Sequence, residues 1–530
     1  MKLGTINTTR QRTVEIMDCT LRDGEQTNGV SFLPHEKLMV ARMLLFDINV
    51  DRIEVASARV SEGEKDAVSR ICRYAASINR LDSVEVLGFV DHTLSVDWIA
   101  ECGGHVINLL TKGSLKHCTQ QLKLTPDEHL SRIRQTIEYA TEKGLTVNLY
   151  LEDWSSGMRD SRDYVFHMMD ELVKLPVRRF MLPDTLGILN PLECVDYLRQ
   201  MVRRYPKAHF DFHAHNDYDL AVSNSLAAVL CGAKGLHVTV NGLGERCGNA
   251  PLASVQVILK DMFHAKTNIK EDRLNDISRL IAGYSGIAVA PNTPVVGDNV
   301  FTQVAGVHAD GDNKDKLYCN ELVPERFGRH RAYALGKNSG KANIVKNLTE
   351  LGLELTPEQT RAVTKRITEL GDRKQIVTQD DLPYIVSDVL KHTTPDNKVK
   401  LLSYMVSTSY GLKPIASVKV KIEGKEYEDQ STGDGQYDAF VNALRNIYKV
   451  KLGRTFPKLD NYQVSIPPGG RTDALVQTVI TWREDDRIWR TRGLDADQTE
   501  AAIKATLKML NMYEAGESDE RHVAPRDRDF

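Results

Sequence analysis

The feature that most constrains the fold is an alternation of short β-rich runs with amphipathic segments of helical length, repeated eight times between residues 14 and about 250. The segments between the runs, such as PDEHLSRIRQTIEYATEKG, place apolar residues three and four positions apart, which is typical of amphipathic helices. That helix has a start signal in Thr125–Pro126–Asp127–Glu128. The β-rich runs are VEIM (14–17), RIEVAS (52–57), SVEVLGFV (83–90), HVINLLT (105–111), TVNLYLED (146–153), RRFMLPDT (178–185), HFDFHAH (209–215) and GLHVTVNG (235–242). The pattern predicts an α/β fold with a (β/α)8 TIM barrel, and a doubly wound open sheet is the alternative.

Polar residues follow almost every predicted strand. A (β/α)8 barrel carries its chemistry at the carboxyl ends of its strands, so these residues would share one rim. They are Asp18, Asp23, Glu54, Ser57, Asp91, His92, Thr111, Lys112, Glu152, Asp153, Asp184, Thr185, His213, His215, Asn216, Asp217, Asn241 and Glu245. Carboxylates, imidazoles and amides gathered at one rim favour an enzyme.

The chain beyond the predicted barrel changes character twice. From about 251 to 400, helices alternate with Gly- and Asn-rich loops, and from about 401 to 513 a β-rich stretch, a Gly-Asp turn and a helix occur twice. The second pattern predicts an α+β domain built by internal duplication. The predicted domains are a catalytic barrel at 1–285, a helical linker and lid region at 286–400, a C-terminal regulatory domain at 401–515 and a disordered tail at 516–530.

Composition narrows the class of protein. The net charge is −3 without a basic stripe, so we expect no nucleic-acid partner. No apolar stretch reaches the ~18 residues of a membrane span, and the N-terminal residues lack a secretory signal, so we expect no membrane partner. The 8 cysteines are scattered and form no CxxC pair, which indicates a reduced, cytoplasmic enzyme.

The sharpest local motif is His213–Ala214–His215. Positions i and i+2 of a strand face the same side, so both imidazoles should point into the barrel while Phe210, Phe212 and Ala214 face outwards. Two histidines with an aspartate from elsewhere could bind a divalent metal. The alternative is a structural pair of histidines that form hydrogen bonds at the barrel mouth.

Two further motifs carry polar groups at strand ends. In TLRDGEQ (20–26), the side chains of Arg22 and Asp23 should diverge if the backbone is extended. One could then orient a substrate carboxylate or enolate while the other coordinates a metal. The alternative is a solvated turn with a surface ion pair. NGLGERCGN (241–249) follows the eighth run and lacks the context of a dinucleotide fingerprint. It predicts a tight turn that places Asn241, Glu245 and Asn249 at the rim.

Together these three motifs resemble the condensing enzymes that include the 2-isopropylmalate, homocitrate and citramalate synthases. The resemblance covers residues 12–515, and strings such as IEVASARVSEGE (53–64), NLLTKGS (108–114) and VPERFGR (323–329) resemble the citramalate synthase branch most. It implies a Claisen-type condensation of acetyl-CoA, as co-substrate, with a 2-oxo acid, followed by hydrolysis of the thioester. It also implies a homodimer and a divalent metal, either Mn²⁺, Mg²⁺, Co²⁺ or Zn²⁺.

The resemblance also implies roles for individual residues. Arg22 would lie beside the reacting oxygens, and the base would be either Glu152 or His308. His308 and Tyr318 would complete the catalytic site over the barrel of the partner in the dimer. The implied metal ligands are Asp23, His213, His215 and Asn249, and the implied substrate-binding residues are Arg22, Leu87, Leu110, Tyr150 and Thr185.

The first functional hypothesis is the condensation of acetyl-CoA with pyruvate to give (R)-citramalate, with feedback inhibition by isoleucine through residues 401–515. The runner-up is 2-isopropylmalate synthesis from 2-oxoisovalerate, with leucine as the inhibitor. A lyase resembling hydroxymethylglutaryl-CoA lyase and a catalytically silent amino-acid sensor are more distant alternatives. The turns GDGQYDA (433–439) and PPGGRTDA (467–474) could offer backbone amides to the effector carboxylate.

Overall fold

The computed structural model describes residues 12–304, 317, 319–351, 353–372, 377, 382, 385–386, 389, 398–465, 476–485, 487–495 and 497–516. The chain forms two compact units, one that holds most of the residues up to Tyr333 and one that holds most of those from Ala334 onwards. The predicted boundaries after residues 285 and 400 fall within these units and remain predictions. The predicted tail at 516–530 lies outside the described residues except for Gly516.

The first unit is built on a closed barrel of eight parallel strands, in which each strand pairs with the next and the eighth pairs with the first. The strands are β1 Glu15–Asp18, β2 Arg52–Ser57, β3 Val84–Phe89, β4 Val106–Lys112, β5 Thr146–Glu152, β6 Val177–Asp184, β7 Phe210–Ala214 and β8 Gly235–Val238. The predicted (β/α)8 barrel is therefore confirmed, and the open-sheet alternative is wrong.

Helices surround this barrel. They are α1 Pro34–Arg42, α2 Glu62–Ser77, α3 Leu94–Glu101, α4 Pro126–Glu142, α5 Trp154–Asp160, α6 Arg162–Leu172, α7 Pro191–Arg204, α8 Ala221–Cys231, α9 Leu252–Asp261 and α10 Leu274–Ser285. The predicted start of α4 is confirmed, because Thr125 and Glu128 each accept the other's backbone N–H in a capping box. After α10, short strands β9 Thr302–Gln303 and β10 Ala332–Tyr333 pair in parallel.

The alternation of side chains along β7 separates two environments. Phe210 and Phe212 are buried in the apolar layer between strands and helices, while the intervening residues face the barrel axis. There the Asp211 carboxylate meets the Arg52 guanidinium, with Oδ2 2.5 Å from Nη2. Arg52 also contacts Glu85, Oε1 to Nη1 3.1 Å. The floor of this barrel is therefore a buried charge network, in place of the branched apolar layers common in the fold.

The second unit begins with helices α11 Lys341–Glu350 and α12 Pro357–Asp372. Two three-stranded antiparallel sheets follow, each ending in a helix, so the predicted duplication is confirmed. Their elements are β11 Val399–Ser407, β12 Ile415–Ile422, β13 Lys425–Thr432 and α13 Gln436–Asn446, then β14 Lys458–Ser465, β15 Val476–Glu484, β16 Arg487–Asp495 and α14 Gln498–Ala515. The run that the sequence predicts as one β-rich stretch is a hairpin of β12 and β13. Its turn lies at Glu423–Gly424, where both residues have positive φ.

No helix among the described residues is both long and apolar enough to span a lipid bilayer.

Candidate active site

Three ligand-type side chains meet at the carboxyl end of the barrel. Asp23 Oδ2 lies 3.1 Å from His213 Nε2 and 3.9 Å from His215 Nε2. The two Nε2 atoms lie 3.4 Å apart. All three residues are buried, and their ligand atoms are close enough together to hold one metal ion. One carboxylate oxygen and two imidazole nitrogens form a donor set that suits a divalent cation.

Two buried oxygens at this site have no hydrogen-bond donor within the described part of the chain. One is Oδ1 of Asp23, and the other is Oδ1 of Asn249. Asn249 forms a β-bridge with His215 and donates from Nδ2 to the Leu243 carbonyl at 3.0 Å. Burying an oxygen without a partner costs roughly 1–3 kcal/mol. A bound cation would compensate such oxygens, so the residues present fit a metal.

The electrostatics of the cluster favour the ligating forms of these groups. Burial alone would raise the pKa of Asp23, but the charge of Arg22 and the hydrogen bond from His213 hold it well below its usual range. Burial, with a contribution from His213, lowers the pKa of His215 to about 4. At neutral pH the aspartate is therefore ionised and His215 is neutral, which are the forms that bind metals.

Arg22 and Asp23 do not diverge as the sequence suggested. The chain after β1 turns helically, and the N–H groups of both residues donate to the Cys19 carbonyl, at 3.1 and 2.9 Å. Arg22 Nη1 therefore lies 3.1 Å from Asp23 Oδ2. The expectation of extended backbone was wrong, and so was the alternative of a surface ion pair, because Asp23 is buried.

The Arg22 guanidinium is held on two further sides. Its Nε donates to Glu54 Oε2 at 2.6 Å, and its Nη2 donates to the Tyr150 hydroxyl at 3.4 Å. The sequence alone places Glu54 in the second strand without indicating a role for it. A signal for such a role is the position of this carboxylate between Ile53 and Val55 in a β-rich run, because a carboxylate buried there needs a partner.

The predicted substrate pocket residues Leu87, Leu110 and Tyr150 do pack together. They form a small apolar cluster with Met17, Cys19 and Met181, separate from the main core of the barrel. The Tyr150 ring lies edge-on to His213, with 6.3 Å between centroids. The Arg22 Cζ lies 5.8 Å from the centre of the same ring. Tyr150 therefore joins the apolar cluster to the charged one.

Comparison with known proteins identifies the family. Residues 13–281 match the HMGL-like family, residues 295–375 match a homocitrate synthase post-HMGL domain-like family, and residues 376–514 match the LeuA allosteric (dimerisation) domain. The (R)-citramalate synthase CimA of Methanocaldococcus jannaschii is 34% identical over 501 residues, covering 94% of this chain and 99% of the relative. The 2-isopropylmalate synthase of the same organism is 36% identical over 504 residues, covering 94% of each.

The chain belongs to the citramalate and 2-isopropylmalate synthase family. It is therefore an acyltransferase that converts the acyl group into an alkyl group on transfer. The two relatives are almost equally similar to this chain, so identity alone does not choose between their two acceptors.

The other residues assigned from the sequence have partners outside this cluster or lie beyond the described residues. Glu152, at the end of β5, forms a close ion pair with Lys112. Thr185 Oγ1 accepts the Asp153 N–H at 2.9 Å. Neither Glu152 nor Thr185 has a hydrogen bond or ion pair with Arg22 or Asp23 in the described part of the chain. His308 and Tyr318 lie outside the described residues.

A second buried group, Cys19 with His213 and His237, also brings three ligand-type atoms together. Burial, with a contribution from Glu54, raises the pKa of the Cys19 thiol well above its usual value. His237 has a partner at each nitrogen, the Tyr150 hydroxyl at Nδ1 and the Asp211 carboxylate at Nε2. The cluster of Asp23, His213 and His215 is therefore the better candidate for a metal, because among the described residues its two imidazole Nε2 atoms have only members of the cluster as partners.

Proposed function

We propose that this protein condenses acetyl-CoA with pyruvate to give (R)-citramalate and CoA. Its family supports the coarser reaction, the condensation of acetyl-CoA with a 2-oxo acid. The choice of pyruvate depends on one observation, the Tyr150 ring, which lies near both the Arg22 guanidinium and the His213 imidazole. A 2-oxo acid held by the charged groups would have that ring beside its side chain.

The metal site of this proposal consists of Asp23, His213, His215 and Asn249, which would hold Mn²⁺, Mg²⁺, Co²⁺ or Zn²⁺. When bound, a divalent ion polarises the ketone of the 2-oxo acid and stabilises the negative charge that develops on its oxygen. The buried oxygens of Asp23 and Asn249 without donors support this assignment.

Arg22 would supply a second, fixed positive charge. Its guanidinium is held by Glu54 on one side and Asp23 on another, so it does not need to reorganise when negative charge develops on the acceptor. Pre-organised charge of this kind is usually the largest single contribution to catalysis. Arg22 would also orient the carboxylate of the acceptor.

The proton of the acetyl methyl group would be removed by Glu152 or His308. Glu152 lies at the carboxyl end of β5, and its ion pair with Lys112 fixes the direction of the carboxylate. Either residue would leave the acetyl group as a nucleophile toward the polarised ketone. Water then hydrolyses the thioester and releases CoA.

The apolar cluster would set the size of the acceptor. Leu87 and Tyr150 are buried, and with Leu110 they occupy the space beside the charged groups. The methyl group of pyruvate needs little room there, whereas the isopropyl group of 2-oxoisovalerate needs more. The second candidate, 2-isopropylmalate synthesis, is favoured by the relative of that name.

The C-terminal domain would bind the inhibitor in a homodimer, and isoleucine is the inhibitor expected for citramalate synthesis. The match of residues 376–514 to an allosteric dimerisation domain supports this part of the proposal. In the first predicted turn, Asp438 Oδ2 already accepts the Asp434 N–H at 2.9 Å. The second predicted turn, at 467–474, lies entirely outside the described residues.

The proposal is tested by release of free thiol from acetyl-CoA in the presence of a divalent metal and one 2-oxo acid, with identification of the acid formed. We expect citramalate from pyruvate, no thiol release after chelation of the metal, and stronger inhibition by isoleucine than by leucine. Faster turnover of 2-oxoisovalerate with stronger inhibition by leucine would instead support 2-isopropylmalate synthesis. No turnover of any 2-oxo acid would support the silent sensor.

A further inference from the structure

His237 is a buried polar residue that the proposed reaction does not use. It lies on β8 with 1% of its surface exposed, below the Tyr150 side chain. Its Nδ1 lies 3.1 Å from the Tyr150 hydroxyl, and its Nε2 lies 3.3 Å from Asp211 Oδ2. His237 therefore connects the charged floor of the barrel to a residue of the candidate pocket.

The carboxylate decides which nitrogen of His237 carries the hydrogen. Asp211 is ionised, because the Arg52 guanidinium lies 2.5 Å from its Oδ2. An ionised carboxylate only accepts hydrogen bonds, so Nε2 must be the donor. In a neutral imidazole the other nitrogen is then an acceptor, which leaves Nδ1 to receive a hydrogen bond from the Tyr150 hydroxyl.

The single hydroxyl hydrogen of Tyr150 has two acceptors within reach. Glu54 Oε2 lies 3.3 Å away, but it already accepts the Arg22 Nε–H at 2.6 Å. His237 Nδ1 has no other donor among the described residues. Leaving a buried acceptor without a donor costs free energy, so the Tyr150 hydroxyl hydrogen points to His237 Nδ1. The Tyr150 oxygen is then free to accept from Arg22 Nη2, at 3.4 Å.

We propose that His237, oriented by Asp211, is a positioning residue for the 2-oxo acid site. It turns the Tyr150 hydroxyl so that its hydrogen points to the barrel floor and its oxygen supports Arg22. The link from Asp211 through His237 and Tyr150 to Arg22 thus fixes the guanidinium that faces the acceptor. This inference rests on the proposed function, because it assigns the effect to the acceptor and not to acetyl-CoA.

Two substitutions of His237 separate its two hydrogen bonds. His237→Gln places an amide near the position of Nε2, so it retains the bond to Asp211 and loses the one to Tyr150. His237→Asn places an amide oxygen near the position of Nδ1, so it retains the bond from Tyr150. We expect kcat/KM for the preferred 2-oxo acid to fall about five- to tenfold in the Gln variant and less, about two- to threefold, in the Asn variant, which keeps the bond from Tyr150 but loses the contact with Asp211. The KM for acetyl-CoA should not change in either variant.

The same pair of substitutions in a Tyr150→Phe background supplies the decisive comparison, because that background has no hydroxyl to orient. There the Gln and Asn variants should have equal kcat/KM, since contacting residues couple only while both partners are present. His105→Gln, at an exposed ion pair with Asp82, serves as the control for a histidine change elsewhere. Equal losses in the Gln and Asn variants, or a difference between them that persists without the hydroxyl, would overturn the inference.

Failure of the proposed function can be recognised separately. It would appear in the wild-type protein as an absence of turnover with every 2-oxo acid. The midpoint of thermal unfolding, measured on the same variants without ligands, then still tests the hydrogen bond. We expect the Gln substitution to lower the midpoint more when Tyr150 is present than when it is Phe. An equal effect in both backgrounds would overturn the inference even if no acceptor were known.

Discussion

Single residues in this site are held by opposite charges that are buried together. Arg22 contacts both Asp23 and Glu54, and none of these three side chains is more than 10% exposed. A buried charge left without its partner is strongly destabilising, typically by about 3–5 kcal/mol. Substitutions at this cluster should therefore affect folding as well as chemistry, and each test needs a measurement of both.

Removal of a metal ligand is the first prediction at this scale. We expect Asp23→Ala and His213→Ala each to weaken Mn²⁺ binding by more than about 100-fold, because even residues that only support metal ligands contribute about 10- to 100-fold. Isothermal titration calorimetry measures the binding, and circular dichroism checks that the fold survives. Asp127→Ala, at an exposed helix start, is the control and should bind as the wild type does. Unchanged Mn²⁺ affinity in a folded Asp23→Ala protein would contradict the assigned site.

A second prediction concerns the size of the acceptor pocket. Tyr150→Ala and Leu87→Ala should each improve 2-oxoisovalerate relative to pyruvate, since both remove buried bulk beside the charged groups. One methylene in an apolar pocket changes discrimination by about 1–3 kcal/mol, or about 10- to 200-fold. The ratio of kcat/KM for the two acids is the measurement. If both variants lost activity with both acids and kept the ratio, these residues would serve packing alone.

Local sequence predicted some site residues and missed others for a physical reason. His213 and His215 were predicted to share a face because alternation along a strand is a property of neighbouring residues. Glu54 and His237 acquire their roles from partners on other strands. Glu54 accepts a hydrogen bond from Asn108 on β4. His237 pairs with Asp211 on β7. Their roles depend on the register of a closed barrel, which the sequence pattern does not specify.

At the scale of elements, a buried histidine joins α4 to the barrel. His129 accepts the Lys112 N–H at Nε2, at 3.2 Å, and is 1% exposed. Burial, with a contribution from the charge of Lys112, lowers the pKa of His129 to about 4. Between about pH 6.5 and 4 the unfolded chain binds a proton at this residue and the folded chain does not. Stability should therefore decrease as the pH falls through that range.

We expect the thermal midpoint to fall between pH 7 and pH 5, with His129 contributing at most about 1.4 kcal/mol per pH unit. His129→Gln, whose amide oxygen can accept the Lys112 N–H but does not titrate, should reduce this dependence. Differential scanning calorimetry across the pH range is the measurement. An identical pH dependence in the Gln variant would show that His129 is not responsible.

Strands were predicted where burial produces a pattern and were missed where it does not. The eight barrel strands are short, largely buried β-rich runs, and every one was predicted within a few residues. The strand β11 was not predicted, because most of its residues are exposed or half-buried and show no strict alternation. Among the strands that the structure describes, it pairs along one edge alone, with β12. Its position depends on that neighbour more than on its own sequence.

At the scale of the whole molecule, the C-terminal domain has a core of its own. Buried residues from both halves of the duplication share one cluster, which runs from Val399 to Leu510. The Tyr448 and Tyr513 rings, one from each half, lie 6.2 Å apart. Because the core is shared, each half needs the other to bury its apolar surface. The two halves together bury that surface themselves.

We therefore expect a fragment of residues 398–516 to fold and unfold cooperatively, and a fragment of residues 398–457 to remain unfolded. Circular dichroism with thermal melting is the measurement for both. The smaller fragment lacks the second sheet and α14, which cover the apolar face of the first sheet and α13. A cooperative transition in the smaller fragment would contradict a shared core.

The sequence predicted the order of barrel, linker and duplicated domain, because each has its own pattern of apolar residues. It did not decide the acceptor, since two relatives with different acceptors are about equally similar to this chain. In the proposed function that choice depends on three side chains, Leu87, Leu110 and Tyr150, which come from three strands and meet only in the folded barrel.

The most direct test of the central claim is the ratio of kcat/KM for pyruvate to that for 2-oxoisovalerate, measured on the wild-type protein with acetyl-CoA and a divalent metal. The bulk of the Tyr150 ring beside Arg22 predicts a ratio above about 10, since one missing or extra methylene already changes discrimination about tenfold. A ratio below one would contradict the claim that this barrel selects pyruvate.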